Sequence, residues 1–161
     1  MHRSMARRYW LLKSEPEVFS IQHLARAPRK TTFWDGVRNY QARNLLRDEI
    51  KRGDGVLFYH SNANPPGVAG TATVVGEAAP DPSQFDSASN HFDPGAKSDG
   101  PRWYGIEIQF ESVFARLVPL DELRTTPALA KMVLLARSRL SVQPVTPEEW
   151  KTILKMGAKA A

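Results

Sequence analysis

Apolar and polar positions along the chain switch between strand spacing and helix spacing. Short apolar runs predict buried strands over residues 9–13, 56–61 and 68–77. Apolar residues at helical spacing predict a helix over residues 41–51. Strands and helices therefore follow each other without a regular strand–helix repeat, which favours an α+β fold over a parallel α/β fold.

One further strand can be divided into two faces. In the segment WYGIEIQFESV, alternate positions place Tyr104, Ile106, Ile108 and Phe110 together on an apolar face. We expect this face to pack in the core. The same alternation predicts that Trp103 lies on the opposite, polar face, as an exposed aromatic available to a ligand.

Helix-capping residues predict where two helices begin. Ser20 has the side chain of an N-cap for a short helix that continues to Leu24. Near the C-terminus, Thr146, Pro147 and Glu149 form a predicted capping box that opens the last helix. Residues 120–135 are also predicted to be helical, whereas residues 80–101 form a long Pro-, Asp-, Ser- and Gly-rich loop of a length that is often functional.

These elements predict a single small domain of 161 residues. We expect an α+β fold with a mostly antiparallel sheet, in the form of a small β-barrel with flanking helices. The predicted boundaries are a basic N-terminal extension at residues 1–8, with Met5 as an alternative start, one domain at residues 9–156 and a tail at residues 157–161.

Positive charge is concentrated in the first third of the chain. Residues 1–52 contain 12 Lys and Arg against 5 Asp and Glu, whereas residues 53–161 contain 10 against 12. A basic face of this kind is typical of phosphate binding, although solubility alone explains it equally well. The chain has no cysteine and no apolar run of membrane-spanning length, so we expect a cytoplasmic protein without a membrane partner.

Common catalytic and metal-binding motifs are absent from the sequence. It contains no phosphate loop, no dinucleotide-binding glycine motif and no nucleophile elbow, and its four histidines lack metal-ligand spacing. We therefore expect a protein that is not an enzyme and that uses neither cofactor nor metal. His60 has two interpretations, a hydrogen-bonded structural histidine or a pocket residue.

Residues 33–47, FWDGVRNYQARNLLR, combine aromatic, arginine and asparagine side chains in a way that packing does not require. Aromatic faces stack on bases, cations neutralise phosphates and small polar groups read base edges. The candidate aromatic side chains are Trp34, Tyr40, Tyr59, Trp103 and Tyr104. The candidate cations are Lys13, Arg38, Arg43 and Arg139. The candidate small polar side chains are Ser14, Asn39, Ser61, Ser141 and Gln143. We expect Trp34 and Asn39 to contact a base, and Arg38 and Arg43 to contact the backbone. Asn39 has a second interpretation as the N-cap of the following helix.

The sequence resembles the EVE-domain family of the PUA-like superfamily. The motifs that carry the resemblance are YWLLKSEPEVFSI, FWDGVRNYQARNLLR, GDGVLFYHSN, DPSQFD, PRWYGIEIQF and RLSVQPVTPEEW, which occur in order along most of the chain. The resemblance implies a PUA-like barrel, related in architecture to YTH domains, and binding of a modified base in DNA or RNA without catalysis. It also implies a pocket formed by Lys13, Ser14, residues 34–39 and 59–61, Trp103 and the segment around Ser141.

Two other functions stay open at this level. One is a nucleic-acid-processing enzyme with an unrecognised acid–base pair such as His60 and Asp35. The other is a small-metabolite or nucleotide-binding module that uses the same pocket. The polymer, the modification and the oligomeric state are not determined by the sequence, and a monomer is the default expectation.

Overall fold

A computed structural model describes residues 7–159, so residues 1–6 of the predicted extension and the last two residues of the predicted tail lie outside the described part. The strands are β1 (Tyr9–Ser14), β2 (Thr31–Trp34), β3 (Gly55–His60), β4 (Gly67–Val74), β5 (Ala79–Pro80), β6 (Tyr104–Pro119) and β7 (Val142–Val145). The α-helices are α1 (Ile21–Arg26), α2 (Tyr40–Asp48), α3 (Leu120–Arg124), α4 (Val133–Ala136) and α5 (Pro147–Ala158). Short 3₁₀ turns lie at Pro28–Lys30, Pro82–Phe85 and Pro127–Leu129.

The seven strands form one mixed sheet in the order β2-β6-β4-β3-β1-β7, with β5 paired to β6. The β1–β3 pair is parallel and the other pairs are antiparallel. This confirms the predicted α+β fold with a mostly antiparallel sheet. Within residues 7–159 the ladders leave β2 and β7 as the two ends, so closure of the sheet into a barrel stays a prediction.

Both faces of the central strands are buried. Trp10 and Leu12 of β1 belong to one hydrophobic cluster, whereas Leu11 belongs to a second cluster that also contains Trp150 and Ile153 of α5. A strand that is covered on both faces has no need of polar alternation. This explains why β1 is continuously apolar in the sequence.

The predicted helix starts are confirmed by their hydrogen bonds. The Ser20 hydroxyl accepts from the backbone N–H of His23, and the Asn39 side chain accepts from the backbone N–H of Ala42. Thr146 and Glu149 form the predicted capping box of α5. Each of these side chains satisfies one of the backbone donors that a helix leaves free at its start.

Three structural predictions need correction. Trp103 was predicted to be an exposed aromatic on the polar face of a strand, but it precedes β6 and is only 6% exposed. β2 was not predicted, since its pattern of four residues is too short to show a period. The segment 120–135 is divided into α3, a 3₁₀ turn and α4 instead of one continuous helix.

The remaining predictions have mixed outcomes. Ile106 and Ile108 are fully buried, as the strand alternation predicted, whereas Tyr104 and Phe110 are half-buried. α5 extends through Ala158, so the first two residues of the predicted tail are helical. No helix within residues 7–159 is long and apolar enough to span a membrane.

Candidate functional site

A cavity of about 370 Å³ is lined by residues of β1, of β2 and of the segment before β7. A volume of this size is within the range of small-molecule pockets. Its wall combines the end of β1, the turn before α1, the end of β2, the turn after β2, and single residues from two distant loops. The lining residues are Lys13, Ser14, Val18, Phe19, Thr32, Phe33, Trp34, Asp35, Gly36, Val37, Arg38, His91 and Ser141.

Aromatic side chains form one wall of the cavity. Trp34 is anchored edge-on against Phe58 of the core, with 5.4 Å between ring centroids, and Phe19 meets Trp34 in a T-shaped contact at 6.4 Å. Phe19 and Phe33 are half-buried, so part of each ring faces the cavity or solvent. A wall of this kind offers flat, rigid surfaces on which a planar ligand can stack.

Asp81 holds the turn after β2 in place through hydrogen bonds. Its carboxylate is fully buried and accepts from the backbone N–H of Gly36 at 2.8 Å, from Arg38 at 3.0 Å, and from the N–H and hydroxyl of Ser83 at 2.8 and 2.7 Å. Burial alone raises the pKa of Asp81, but these donors outweigh it and lower the pKa below its ordinary value. The carboxylate therefore stays ionised and fastens the loop after β5 to the cavity wall.

Arg38 is committed to this same network. Its guanidinium donates to Asp81, to the Ser83 hydroxyl, to its neighbour's carbonyl at Val37, and twice to the carbonyl of His91. A guanidinium has five N–H donors, and these five bonds use them. We expected a free phosphate contact at Arg38, and the structure instead makes it a positioning residue of the cavity wall.

Gly36 allows the loop that carries His91 to approach the turn closely. Gly36 has a φ of +80°, and a Cβ built on it would lie 2.7 Å from the His91 imidazole. Both the backbone conformation and the lack of space therefore require glycine here. Because of this contact, the imidazole of a loop residue becomes part of the cavity wall.

The cavity has a positive side near the end of β1. Lys13 lines the cavity, its ammonium donates to the carbonyl of Ser138, and it lies 5.7 Å from the centre of the Tyr59 ring. Burial lowers the pKa of Lys13. Ser14 donates from its hydroxyl to the Phe19 carbonyl at 2.6 Å, while Ser141 is bound to β1 through its own carbonyl.

Asp35 brings a negative group to the same cavity. Its side chain is exposed and lines the cavity. Among residues 7–159, neither a hydrogen-bond donor nor a cation is paired with this carboxylate. It is therefore a free acceptor, in contrast to the buried and fully bonded Asp81.

Three residues of the arginine-rich turn lie outside the cavity. Asn39 is the N-cap of α2, with its side-chain oxygen 2.9 Å from the N–H of Ala42. Tyr40 is exposed and stacks on Trp103 with 4.8 Å between ring centroids. Arg43 lies over the Tyr40 ring and donates to the carbonyl of Arg102.

Trp103 does not line the cavity, and its side chain is bonded to other parts of the protein. Its indole N–H donates to Asp93 at 2.7 Å, and this bond lowers the pKa of the carboxyl together with the N–H of Gly95 and the charge of Arg102. The Arg38 guanidinium also lies 5.4 Å from the Trp103 ring centre. The expected exposed stacking platform is therefore an internal support for the loop of residues 81–102.

Four other predicted site residues lie on or beside β3 and β7, away from the cavity lining. Tyr59 is buried in the second hydrophobic cluster, and burial raises its pKa. His60 accepts from the backbone N–H of Ile21, and burial lowers its pKa, so it is a neutral structural histidine. Ser61 is bound to β1 through its backbone. Gln143 is buried and donates to the carbonyls of Arg137 and Leu140.

Gln143 also holds the one buried side-chain atom without a hydrogen bond among the described residues, its Oε1. The last predicted residue, Arg139, is exposed in the loop between Ser138 and Ser141. Among the candidate side chains named from the sequence, the cavity brings together Lys13, Ser14, Trp34, Arg38 and Ser141; the other ten, which include the half-buried Tyr104, do not line it. The proposed acid–base pair is not assembled there, because Asp35 lines the cavity and His60 does not.

Several lining residues were missed by sequence reasoning. Phe33 directly precedes the predicted range 34–39, and the Asp-Gly pair that follows signals a turn that could have identified it. Phe19 and His91 gave no local signal, since both reach the cavity only through tertiary contacts. In the described part of the chain no group of three or more His, Cys, Asp or Glu residues could hold a metal ion.

Comparisons with known proteins agree with this architecture. Thymocyte nuclear protein 1 of Homo sapiens is 45% identical over an alignment 168 positions long, which covers 94% of this chain and 74% of that protein. A hypothetical protein from Leishmania major has 46% identity and a TM-score of 0.91, covering 96% of this chain and 97% of that one. The structure of human THYN1 in complex with 5-methylcytosine-containing DNA has 44% identity and a TM-score of 0.90, covering 96% of this chain and 99% of that one.

The EVE domain model matches residues 8–156, which is nearly all of the chain and close to the predicted domain of residues 9–156. Together with the curated relatives, this match confirms the resemblance that the sequence motifs indicated. The chain therefore belongs to the EVE domain family.

Proposed function

We propose that this protein binds DNA that carries a modified cytosine, and that it receives the base, flipped out of the stack, in the cavity beside β2. The observation that carries the proposal is the unpaired Asp35 carboxylate in an aromatic-walled cavity. A base must leave its stack before a pocket of this kind can enclose it. The related human THYN1, which was solved in complex with 5-methylcytosine-containing DNA, supports the same substrate class.

The polar groups of the cavity match the edge of cytosine. Cytosine presents an amino donor, and Asp and Glu are the side chains that accept from it. Asp35 supplies that acceptor, while the Ser141 hydroxyl supplies a donor for the ring nitrogen or the carbonyl oxygen. A thymine in the same position would present a carbonyl oxygen to Asp35 and be repelled.

The aromatic wall provides the contact for the modification. Phe19, Phe33 and Trp34 offer apolar surface to a methyl group, which is worth about 1–3 kcal/mol of selectivity in a hydrophobic pocket. Selection for the modified base is therefore moderate, and selection for cytosine over other bases is sharper, because an unmatched polar group costs about 1–3 kcal/mol on each side of the contact.

Phosphate contacts are assigned to the positive rim of the cavity. Lys13 lines the cavity and Arg139 is exposed in the loop next to it. Because Arg38 is bonded within the protein, we assign the phosphate contacts to Lys13 and Arg139 in its place. Arg43 has a secondary role, because one of its guanidinium nitrogens already donates to the carbonyl of Arg102. DNA as the polymer, non-catalytic binding and a cytoplasmic location are parts of the proposal; the vertebrate relatives are named nuclear proteins.

A binding titration with matched oligonucleotides tests the proposal. The ligands are DNA duplexes with 5-methylcytosine, cytosine or thymine at one position, and the corresponding RNA. We expect the tightest binding to the 5-methylcytosine duplex and no change in the oligonucleotide after prolonged incubation. Equal affinity for all bases would refute base recognition, and a chemically altered oligonucleotide would favour an enzyme.

The variant Asp35→Asn tests the assigned recognition group. It keeps the size of the side chain but replaces one acceptor by a donor, so we expect the preference for cytosine-type bases over thymine to fall by roughly tenfold. The matched control is Asp99→Asn, which makes the same change of charge at an exposed position of the loop after β5. If both variants alter binding equally, Asp35 acts through overall charge and does not read the base.

A further inference from the structure

Phe92 is an exposed aromatic residue on a tightly held backbone beside the cavity. Its side chain is 41% exposed, whereas the residue before it, His91, lines the cavity wall. Large apolar side chains on loops normally turn inward or belong to a mobile segment. Phe92 does neither, so the exposure of a ring next in the chain to a cavity-lining residue needs an explanation.

The neighbours of Phe92 fix its backbone from both sides. The carbonyl of His91 accepts from the Arg38 guanidinium at 3.1 and 2.7 Å. On the other side, Asp93 accepts from the Trp103 indole at 2.7 Å and from Arg102 at 3.2 Å. The N–H of Phe92 itself donates to the carbonyl of Ser89 at 3.1 Å.

Two carboxylates of the loop that carries Phe92 are offset by arginines, whereas Asp86 and Asp99 of this loop are exposed. Asp93 is paired with Arg102, and the buried Asp81 is paired with Arg38. The charge of each carboxylate is therefore offset by a guanidinium of the same loop assembly. What this loop presents next to the cavity is an aromatic ring whose backbone is already ordered before any ligand binds.

We propose that Phe92 enters the space that the flipped base leaves in the duplex and stacks on the adjoining base pair. This inference rests on the proposed function. Extruding a base leaves a gap and breaks stacking on both sides, and proteins that distort DNA offset this cost by inserting apolar side chains, including Phe, between base steps. An exposed ring that is next in the chain to the cavity-lining His91, on a hydrogen-bonded backbone, meets this requirement with a small ordering cost.

The inference distinguishes duplex from single-stranded ligand. A single strand has no continuous stack to repair, so Phe92 contributes to duplex binding alone. We expect Phe92→Ala to weaken binding of a 5-methylcytosine duplex on the order of tenfold, and to change binding of the same modified strand, unpaired, by less than about twofold. Phe92→Trp, which preserves an aromatic face, retains duplex affinity.

Phe85 provides a matched control in the same loop. It is 38% exposed and lies at the end of the 3₁₀ turn Pro82–Phe85, but neither it nor its neighbours line the cavity. Phe85→Ala therefore removes a similar exposed ring and leaves both affinities unchanged. Urea unfolding of both variants verifies that each is folded, which their exposure leads us to expect.

The outcomes separate the inference from the proposed function. If wild-type protein shows no preference for the modified base in either ligand, the proposed function fails. If the preference is present but Phe92→Ala affects duplex and single strand equally, or neither, the stacking role of Phe92 is refuted and base recognition in the cavity stands. An equal loss in Phe85→Ala would refute it as well, by showing a general effect of the loop.

Discussion

Asp81→Asn removes the charge on which the cavity wall depends. The substitution preserves the shape of the side chain, so its effect reports on hydrogen bonding and charge alone. In the wild type one carboxylate oxygen accepts from Gly36 and Arg38, and the other accepts twice from Ser83. An asparagine must turn its NH₂ group towards one of these two pairs of donors.

The expected loss of stability in Asp81→Asn follows from the burial of the Asp81–Arg38 ion pair. The side chain of Asp81 is 0% exposed and that of Arg38 is 22% exposed. Breaking a buried ion pair by removing one partner costs about 3–5 kcal/mol. Because Arg38 retains some contact with water, we expect the lower end, about 3 kcal/mol of unfolding free energy.

The pH dependence of this loss has a definite sign. The pKa of Asp81 is lowered in the folded protein, so its stabilising effect is complete above the pKa of an unfolded aspartate, which is about 4, and is lost as the pH falls through the folded value. The difference in stability between wild type and Asp81→Asn is therefore full at pH 7 and smaller at pH 3.

Urea unfolding at both pH values measures these two quantities. Asp99→Asn serves as the control, since an exposed substitution changes stability by less than about 0.5 kcal/mol. A loss under about 1 kcal/mol at pH 7, or a loss that does not shrink at pH 3, would contradict the role assigned to the charge. DNA binding of Asp81→Asn at pH 7 is also expected to fall, because the turn that carries the cavity wall is released.

Three further substitutions test other parts of the structure. Gly36→Ala places a methyl group against His91 at a φ of +80°, so we expect more than about 1 kcal/mol of destabilisation by thermal unfolding, and an unchanged melting temperature would contradict this geometry. Trp103→Ala removes a buried indole and its bond to Asp93, with an expected cost of about 3–5 kcal/mol in denaturant titration; a cost below about 1 kcal/mol would restore the exposed-platform interpretation. Asn39→Asp keeps a good N-cap and is expected to preserve stability, and a loss of DNA binding without loss of stability would return Asn39 to the binding surface.

The sequence alone predicted the features that depend on residues close together in the chain. The N-caps at Ser20 and Thr146 are properties of a few consecutive residues, because an N-cap bonds to backbone groups two or three positions away. The core positions Ile106 and Ile108 follow from strand alternation in the same way. The family was also within reach of the sequence, since its motifs are contiguous stretches of residues.

The arginine-rich motif located the cavity but did not assign its residues. Trp34 of this motif lines the cavity, yet Arg38 differs from Arg139 only through tertiary contacts. Arg38 is held by groups at positions 81, 83 and 91, more than 40 residues away, whereas Arg139 remains exposed. Charge and residue type are the same in both cases, so the sequence alone could not tell a structural arginine from a rim arginine.

The burial of Trp103 also depends on contacts between distant segments of the chain. Strand alternation states which side of a strand a residue faces, but not whether another segment covers that side. The loop of residues 81–102 covers it through Asp93, and the Tyr40 ring at the start of α2 stacks on it. The sequence by itself determined local caps, strand faces and the family; the tertiary structure decided which polar and aromatic groups face the cavity, because that depends on contacts between segments that are distant along the chain.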